Sequence, residues 1–369
     1  MKKNQTILLT GTGTIGSELL LALLLETSNY VFVLMRGKGK QDFLERSCVL
    51  FEKLHLNVDE ISRVEILNGD VTKTDFGLEG ETITKLTNEL DFIIHTAATT
   101  SLTADKILCE SVNVGGTRNA LGLADNCFKN GKLRRFIHLS TAFVAGNDSR
   151  AEVPEDKLPN SPRHLNYYEA SKYEAEKLVH LAIRKNLPAA IFRPCMVVGD
   201  TKTGWTREFN VIYPLIRILS SGYITHFPAD PKTFVHLAPI DFVVEAIVES
   251  LEQEWTSGKT FNLTSPSPVT VADLFACKGF FLTEEQQPEL ALPEEFDWEN
   301  CTAREAELLE SVAFCFPYFN SRNSFETENT GRLVQLPKTD GDYLNLLGKF
   351  ATEAGYLRKA RAKSGNAGN

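Results

Sequence analysis

Three glycines within six residues, Gly11-Thr12-Gly13-Thr14-Ile15-Gly16, follow the apolar run Ile7–Thr10 and precede a helix-forming stretch, Ser17–Glu26. A backbone passing from strand to helix through such a turn bends sharply and comes close to whatever lies above it. The helix start then offers unpaired N–H groups and the positive end of its dipole, which suits a pyrophosphate. The G-x-G-x-x-G spacing alone is weak and fits a plain tight turn. Between a strand and a helix it points to dinucleotide binding. Gly11, Gly13, Thr14, Ile15 and Gly16 are therefore candidate cofactor-binding residues.

The rest of the first half alternates in the same way. Strands are expected at Tyr30–Met35, Val64–Leu67, Phe92–His95, Phe136–Leu139 and Ala189–Phe192. Helices are expected over Gln41–Leu54, Ala104–Val114 and Thr117–Asn130. Alternation of this kind implies an α/β chain with a parallel sheet covered by helices on both faces. No repeat at a solenoid period is visible. Composition shifts at Ser265-Pro-Ser-Pro268, and beyond it the chain is acidic and aromatic. This predicts a dinucleotide-binding domain over 1–264, with a substrate-side insertion at about 201–235, and a smaller C-terminal substrate-binding region over 265–369. The basic residues Arg358, Lys359, Arg361 and Lys363 read as a frayed, solvated end.

The second strand bears on which dinucleotide is bound. An acid at its end would hold the ribose hydroxyl of NAD, whereas an arginine suits the 2′-phosphate of NADP. Here Met35 is followed by Arg36, with Lys38 and Lys40 beyond and no acid at the strand end. NADP(H) is the expected cofactor, a solvated basic loop being the plain alternative. Overall the chain carries 39 Lys and Arg against 48 Asp and Glu, a net charge of −9, which argues against a nucleic-acid partner. Its seven scattered cysteines never form a C-x-x-C pair, so reduced thiols and a cytoplasmic location are expected. The apolar run Leu19–Leu25 is too short to span a membrane. The histidines show no metal-ligand spacing, and no metal is expected.

Tyr168-Glu-Ala-Ser-Lys172 opens an amphipathic stretch running to Ile183, and residues four apart share a helix face. A neighbouring ammonium favours the charged form of a phenol and is expected to lower the Tyr168 pKa. Such a pair can pass a proton to a carbonyl oxygen as hydride arrives. Tyr173 and Lys177 have the same spacing and read equally as a surface pair. Ser140-Thr141, at the end of the strand Phe136–Leu139, supplies a hydroxyl for the same oxygen or is simply a strand-end turn.

Taken together, these segments resemble the extended branch of the short-chain dehydrogenase/reductase superfamily. The likeness rests on Thr10-Gly-Thr-Gly-Thr-Ile-Gly16, Gly69-Asp70, His95-Thr-Ala-Ala98, Asn113-Val-Gly-Gly-Thr117, Ser140-Thr-Ala142, Tyr168-x-x-Ser-Lys172 and Arg193-Pro194, in the family's order over residues 7–200. It implies a Rossmann-type doubly wound parallel sheet and a catalytic Thr141, Tyr168 and Lys172. It also implies Asp70 and Val71 near the adenine, Ala97 and Ala98 along the cofactor, and Arg193-Pro194 by the nicotinamide. Asn113 would be mainly architectural. The chain departs from the family's usual G-x-x-G-x-x-G by one residue between its first two glycines.

Within that superfamily, Val33-Leu-Met-Arg36 with Glu45-Arg46, Gly199-Asp-Thr-Lys-Thr-Gly-Trp205, Val235–Asp241 and Phe325-Glu-Thr-Glu-Asn329 resemble the thioester reductase and fatty acyl-CoA reductase group. That likeness implies NADPH-dependent reduction of an acyl thioester, held by coenzyme A or a carrier protein, to an aldehyde or alcohol. A ketone or aldehyde reductase, a nucleotide-sugar epimerase or dehydratase, and a non-catalytic dinucleotide sensor remain as alternatives. The last would tend to lose the Tyr–Lys pair that this chain keeps.

Overall fold

A computed structural model describes residues 4–25, 28–147, 152–210, 212–281, 287–321 and 323–357. The basic stretch from Arg358 onward and the expected helix end at Glu26 lie outside these residues. Seven strands form the central sheet: β1 (Thr6–Thr10), β2 (Tyr30–Met35), β3 (Val64–Asn68), β4 (Phe92–His95), β5 (Arg135–Leu139), β6 (Ala189–Pro194) and β7 (Thr260–Leu263). Their order is β7-β6-β5-β4-β1-β2-β3, and every pairing is parallel.

These strands are apolar runs because both of their faces are covered. Ile7, Leu9, Val31, Val33, Phe92 and Ile94 point into one helix layer, containing α1 (Thr14–Leu25) and α6 (Ile240–Ser250). Leu8, Phe32, Leu34, Ile93 and Phe136 point into the other, containing α3 (Gly80–Glu89), α4 (Gly116–Asn130) and α5 (Tyr167–Arg184). A further helix, α2 (Lys40–Leu54), follows β2. The order reverses between β1 and β4, where Thr10 pairs with both Leu34 and His95. The crevice outside the carboxyl ends of strands at such a switch point is where open α/β sheets place ligands.

A third core, over the carboxyl edge of the sheet, draws on both sides of residue 265. Ile212, Tyr213, Phe227 and Leu237 pack there with Val271, Phe275, Leu309 and Leu344. In the other direction, α7 (Glu328–Leu333) returns to the sheet, and Val334 joins the core around α6 and β7. The packing therefore does not divide at one chain position.

The expected helix Ala104–Val114 does not end before α4. A short helix, Lys106–Cys109, runs through a π-helical turn at Glu110–Gly115 directly into Gly116. Asn113 anchors that turn: its side chain accepts from the Thr99 N–H and donates to the Ser171 hydroxyl. The glycine pair permits the continuation, since a Cβ on Gly116 would sit 3.1 Å from Val71.

Candidate active site

Helix α1 begins at Thr14, three residues earlier than expected, so the N–H groups of Thr14 and Ile15 lie at its free end. Gly11 has φ +92°, and a Cβ there would lie 2.8 Å from the Ala97 backbone nitrogen. One on Gly16 would lie 2.2 Å from the Gly11 carbonyl oxygen. Gly13 faces open space, with nothing within 4 Å of such an atom. Two glycines thus close the turn against the chain, and the third leaves a cradle above the helix start.

At the end of β2, Arg36 is exposed, with Nη1 3.8 Å from Asp70 Oδ2. Partial burial raises the Asp70 carboxyl, but hydrogen bonds from the Thr72 N–H and hydroxyl, with Arg36 nearby, hold it below its ordinary value. Lys38 is exposed on the same loop, its N–H donating to Asp42. Arg46, from α2, reaches back to donate to the Arg36 carbonyl at 2.6 Å. Val71 lies behind Asp70, its carbonyl accepting from Asn119. Ala97 and Ala98 follow β4 beside Gly11.

Across the switch point, Asn166 caps α5 by accepting from the Glu169 N–H, which fixes Tyr168 in the first turn and Lys172 one turn on. Thr141, at the end of β5, is buried; its hydroxyl donates to the Pro194 carbonyl at 3.4 Å and stands close enough to the Tyr168 phenol to favour its charged form. Lys172 is buried as well, and its ammonium donates to the Leu139 carbonyl at 2.6 Å. Burial lowers Lys172 to about 8, with Glu176 working the other way. Tyr168 moves opposite to the expectation. Burial pushes the phenol up to about 12, because desolvation outweighs what the Thr141 hydroxyl offers and the ammonium is spent on Leu139. The other Tyr–Lys spacing is a surface pair: Tyr173 donates to the Pro159 carbonyl and Lys177 pairs with Glu174.

The profile of the male sterility protein family, an NAD-binding domain, matches residues 9–247. The chain belongs to this family. As a member, it carries a nicotinamide dinucleotide-binding domain. Among curated relatives, the glycine betaine reductase ATRR of Emericella nidulans is 29% identical over 282 residues, 73% of this chain and 22% of that protein. Fatty acyl-CoA reductase 1 of Xenopus laevis is 30% identical over 292 residues, 69% of this chain and 55% of that one. The chain therefore spans only part of the length of these relatives. The fold matches the crystal structure of the terminal R domain of the myxalamid PKS-NRPS pathway. The TM-score is 0.81 at 23% identity, covering 97% of this chain and 93% of that one.

Two parts of the structure differ from a reading by motif alone. The Arg193 side chain is fully buried and committed to Glu176 and to the Pro154 carbonyl, so it does not face the dinucleotide cleft. Pro194 does reach the site, its carbonyl lying 3.4 Å from the Thr141 hydroxyl. The second part is a cleft lined by Phe143, Glu169, Phe234, His236, Tyr318 and Phe325, among others. Its residues come from five separated segments, and no local spacing in the sequence signals it. The seven cysteines are unpaired. Among the described residues no group of three His, Cys, Asp or Glu is placed to hold a metal, and no helix is long and apolar enough to cross a membrane.

Proposed function

We propose that this protein uses NADPH to reduce an acyl thioester, carried by coenzyme A or by a carrier protein, to an aldehyde or on to the alcohol. The observation carrying the proposal is the Thr141 hydroxyl set beside the Tyr168 phenol, with the buried Lys172 one helical turn on, at the strand ends beside the glycine cradle. The cradle fits a dinucleotide, since Gly13 leaves open the space that a pyrophosphate on the α1 terminus needs. Gly11, Gly13, Thr14, Ile15 and Gly16 would hold that group, and Arg36, Lys38 and Arg46 a ribose phosphate. Asp70 and Val71 would flank the adenine, and Ala97, Ala98 and the Pro194 backbone the length toward the nicotinamide.

A bound reduced nicotinamide would supply the hydride to the carbonyl carbon; the carbon–sulfur bond would then break as the oxyanion collapses to the aldehyde, the sulfur leaving as a thiolate that takes its proton from Tyr168 or solvent. Thr141 and Tyr168 donate hydrogen bonds to the carbonyl oxygen as it gains negative charge. A phenol with a pKa near 12 stays protonated at neutral pH and is therefore a donor. Lys172, held by the Leu139 carbonyl, fixes a positive charge one turn from the phenol, where it would favour negative charge growing on the substrate oxygen. Asn113 and Ser171 act on geometry: the amide ties the π-turn to α5 through the Ser171 hydroxyl, which itself donates to the Tyr168 carbonyl. The region beyond residue 265 would bind the acyl group.

The test is NADPH absorbance followed with acyl-CoA thioesters, a ketone panel and UDP-sugars. Consumption with thioesters, accompanied by free thiol, is the expected result. Consumption with ketones alone, or none with any carbonyl substrate, rejects it.

A further inference from the structure

We propose that the cleft beside Tyr168 selects an acyl group bearing a positive charge, such as an ammonium or quaternary ammonium head. The inference rests on the reading of this site as one that reduces an acyl group. Position comes first. Phe143 lies two residues beyond Thr141 and its N–H donates to the Thr141 hydroxyl, while Glu169 directly follows Tyr168. The cleft wall is thus continuous along the chain with the two residues that would hold the reacting carbonyl.

The walls are aromatic. Phe143 meets Tyr318 edge to face at 5.0 Å, His236 meets Phe325 at 4.8 Å, and Phe234 stands at 6.2 Å from His236, half-exposed at the surface. Aromatic faces attract cations through their quadrupoles, most strongly where water is excluded.

The floor is acidic. Glu169 is 1% exposed. Its Oε2 accepts from the Leu165 N–H at 2.9 Å and its Oε1 from the Tyr318 hydroxyl, which in turn accepts from the Asn166 amide. A carboxylate has about four acceptor positions, so these donors leave capacity unused. Among the described residues no cation pairs with Glu169, and none of those lining the cleft is a lysine or arginine. Burial, only partly offset by the Asn323 carbonyl, brings His236 down to about 4, hence neutral. A helix-start acid explains the bond to Leu165, but it does not explain a cleft that gathers Phe143, Phe234, Tyr318 and Phe325 along with a buried acid and no lysine or arginine.

Burial raises the Glu169 carboxyl above its ordinary value, only partly offset by the Tyr318 hydroxyl and the Leu165 N–H, and a ligand cation would favour its charged form. The same potential repels carboxylate and phosphate heads, so UDP-sugars are disfavoured.

The experiment is calorimetric titration of the NADP+-loaded protein with three amides that cannot be reduced as thioesters: trimethylammonioacetamide, its neutral twin 3,3-dimethylbutanamide, and succinamate. The cation is expected to bind at least about tenfold more tightly than its twin, with succinamate weakest. Glu169→Gln should bring the two trimethyl amides to near-equal affinity. Phe325→Leu should shrink the preference while leaving the acid in place, which covers the case where Glu169→Gln does not fold. Equal affinities in the unchanged protein, no binding of either, or a preference indifferent to both substitutions overturns the proposal. Since no thioester is involved, cation preference without thioester turnover would remove the proposed reaction and leave this inference standing.

Discussion

Glu176 Oε1 lies 2.5 Å from Arg193 Nη2, and neither side chain has any solvent exposure. The carboxylate also accepts from the Ser140 hydroxyl and meets the His180 ring at 3.2 Å. Burial alone would raise it, but Arg193 and these hydrogen bonds bring it down to about 2. The pair ties α5 to β6 directly behind the catalytic turn. Removing one partner leaves the other charged and uncompensated, so Arg193→Met should cost about 3–5 kcal/mol in thermal unfolding. The folded carboxyl titrates below its ordinary 4.5. Its stabilisation is therefore complete above that value and lost as pH falls toward 2. Melting temperature should drop across this window, and Glu176→Gln should flatten that slope while lowering the plateau. A variant as stable as the unchanged protein would show the pair to be dispensable.

Tyr168→Phe keeps the ring and removes the proton. Turnover should fall by about 10²–10⁴-fold while NADPH fluorescence titration still shows binding. Full activity in this variant would assign the proton to another group.

Lys172 carries the pH signature. With its value lowered to about 8, it is charged at neutral pH and loses its proton as pH rises through that value. Turnover should decline along this limb, and the limb should vanish in the residual activity of Lys172→Met. Stability should move the other way: the cost of a buried ammonium is fully present below about 8 and disappears as pH rises toward the ordinary 10.5. A pH-rate profile identical for both proteins would separate Lys172 from the chemistry.

The glycines give a paired test of the cradle. Gly16→Ala places a methyl 2.2 Å from the Gly11 carbonyl and should destabilise the protein. Gly13→Ala meets nothing within 4 Å and should melt like the parent, yet it should weaken NADPH binding by intruding on the pyrophosphate. Unchanged affinity in Gly13→Ala would move the phosphate elsewhere.

Arg36→Ala should raise the KM for NADPH about tenfold, the worth of one charge-assisted hydrogen bond, and hardly change that for NADH. Arg46→Ala should act in the same direction more weakly. Equal effects on both dinucleotides would argue that these residues do not sense the phosphate.

The parallel sheet was readable because its strands are buried on both faces, so runs such as Ile7–Leu9 and Val31–Val33 are apolar throughout. The Gly-Gly pair at 115–116 misled for an equally local reason. Glycines commonly end helices, but here the missing side chains let the helix pass Val71, with Asn113 fixing the π-turn. Arg193 was placed correctly along the chain, yet its guanidinium turns to Glu176, a partner 17 residues earlier on a neighbouring helix. The aromatic cleft was illegible for a different reason. Phe143, Glu169, His236 and Tyr318 meet only after the third core has formed, and no period in the sequence links them.

The return of α7 to the sheet also bears on how the molecule can be cut. Thr330 donates to the buried Glu155 carboxylate at 2.6 Å, Asn329 reaches the Thr260 carbonyl, and Val334 seals the core beside the outermost strand. A fragment ending at residue 264 would keep Gly11, Gly13 and Gly16 and the whole of α5. It would nonetheless strip the flank of its last strand and strand a carboxylate in an apolar wall. The dinucleotide half is thus no free-standing module, and both halves should melt as a single cooperative unit.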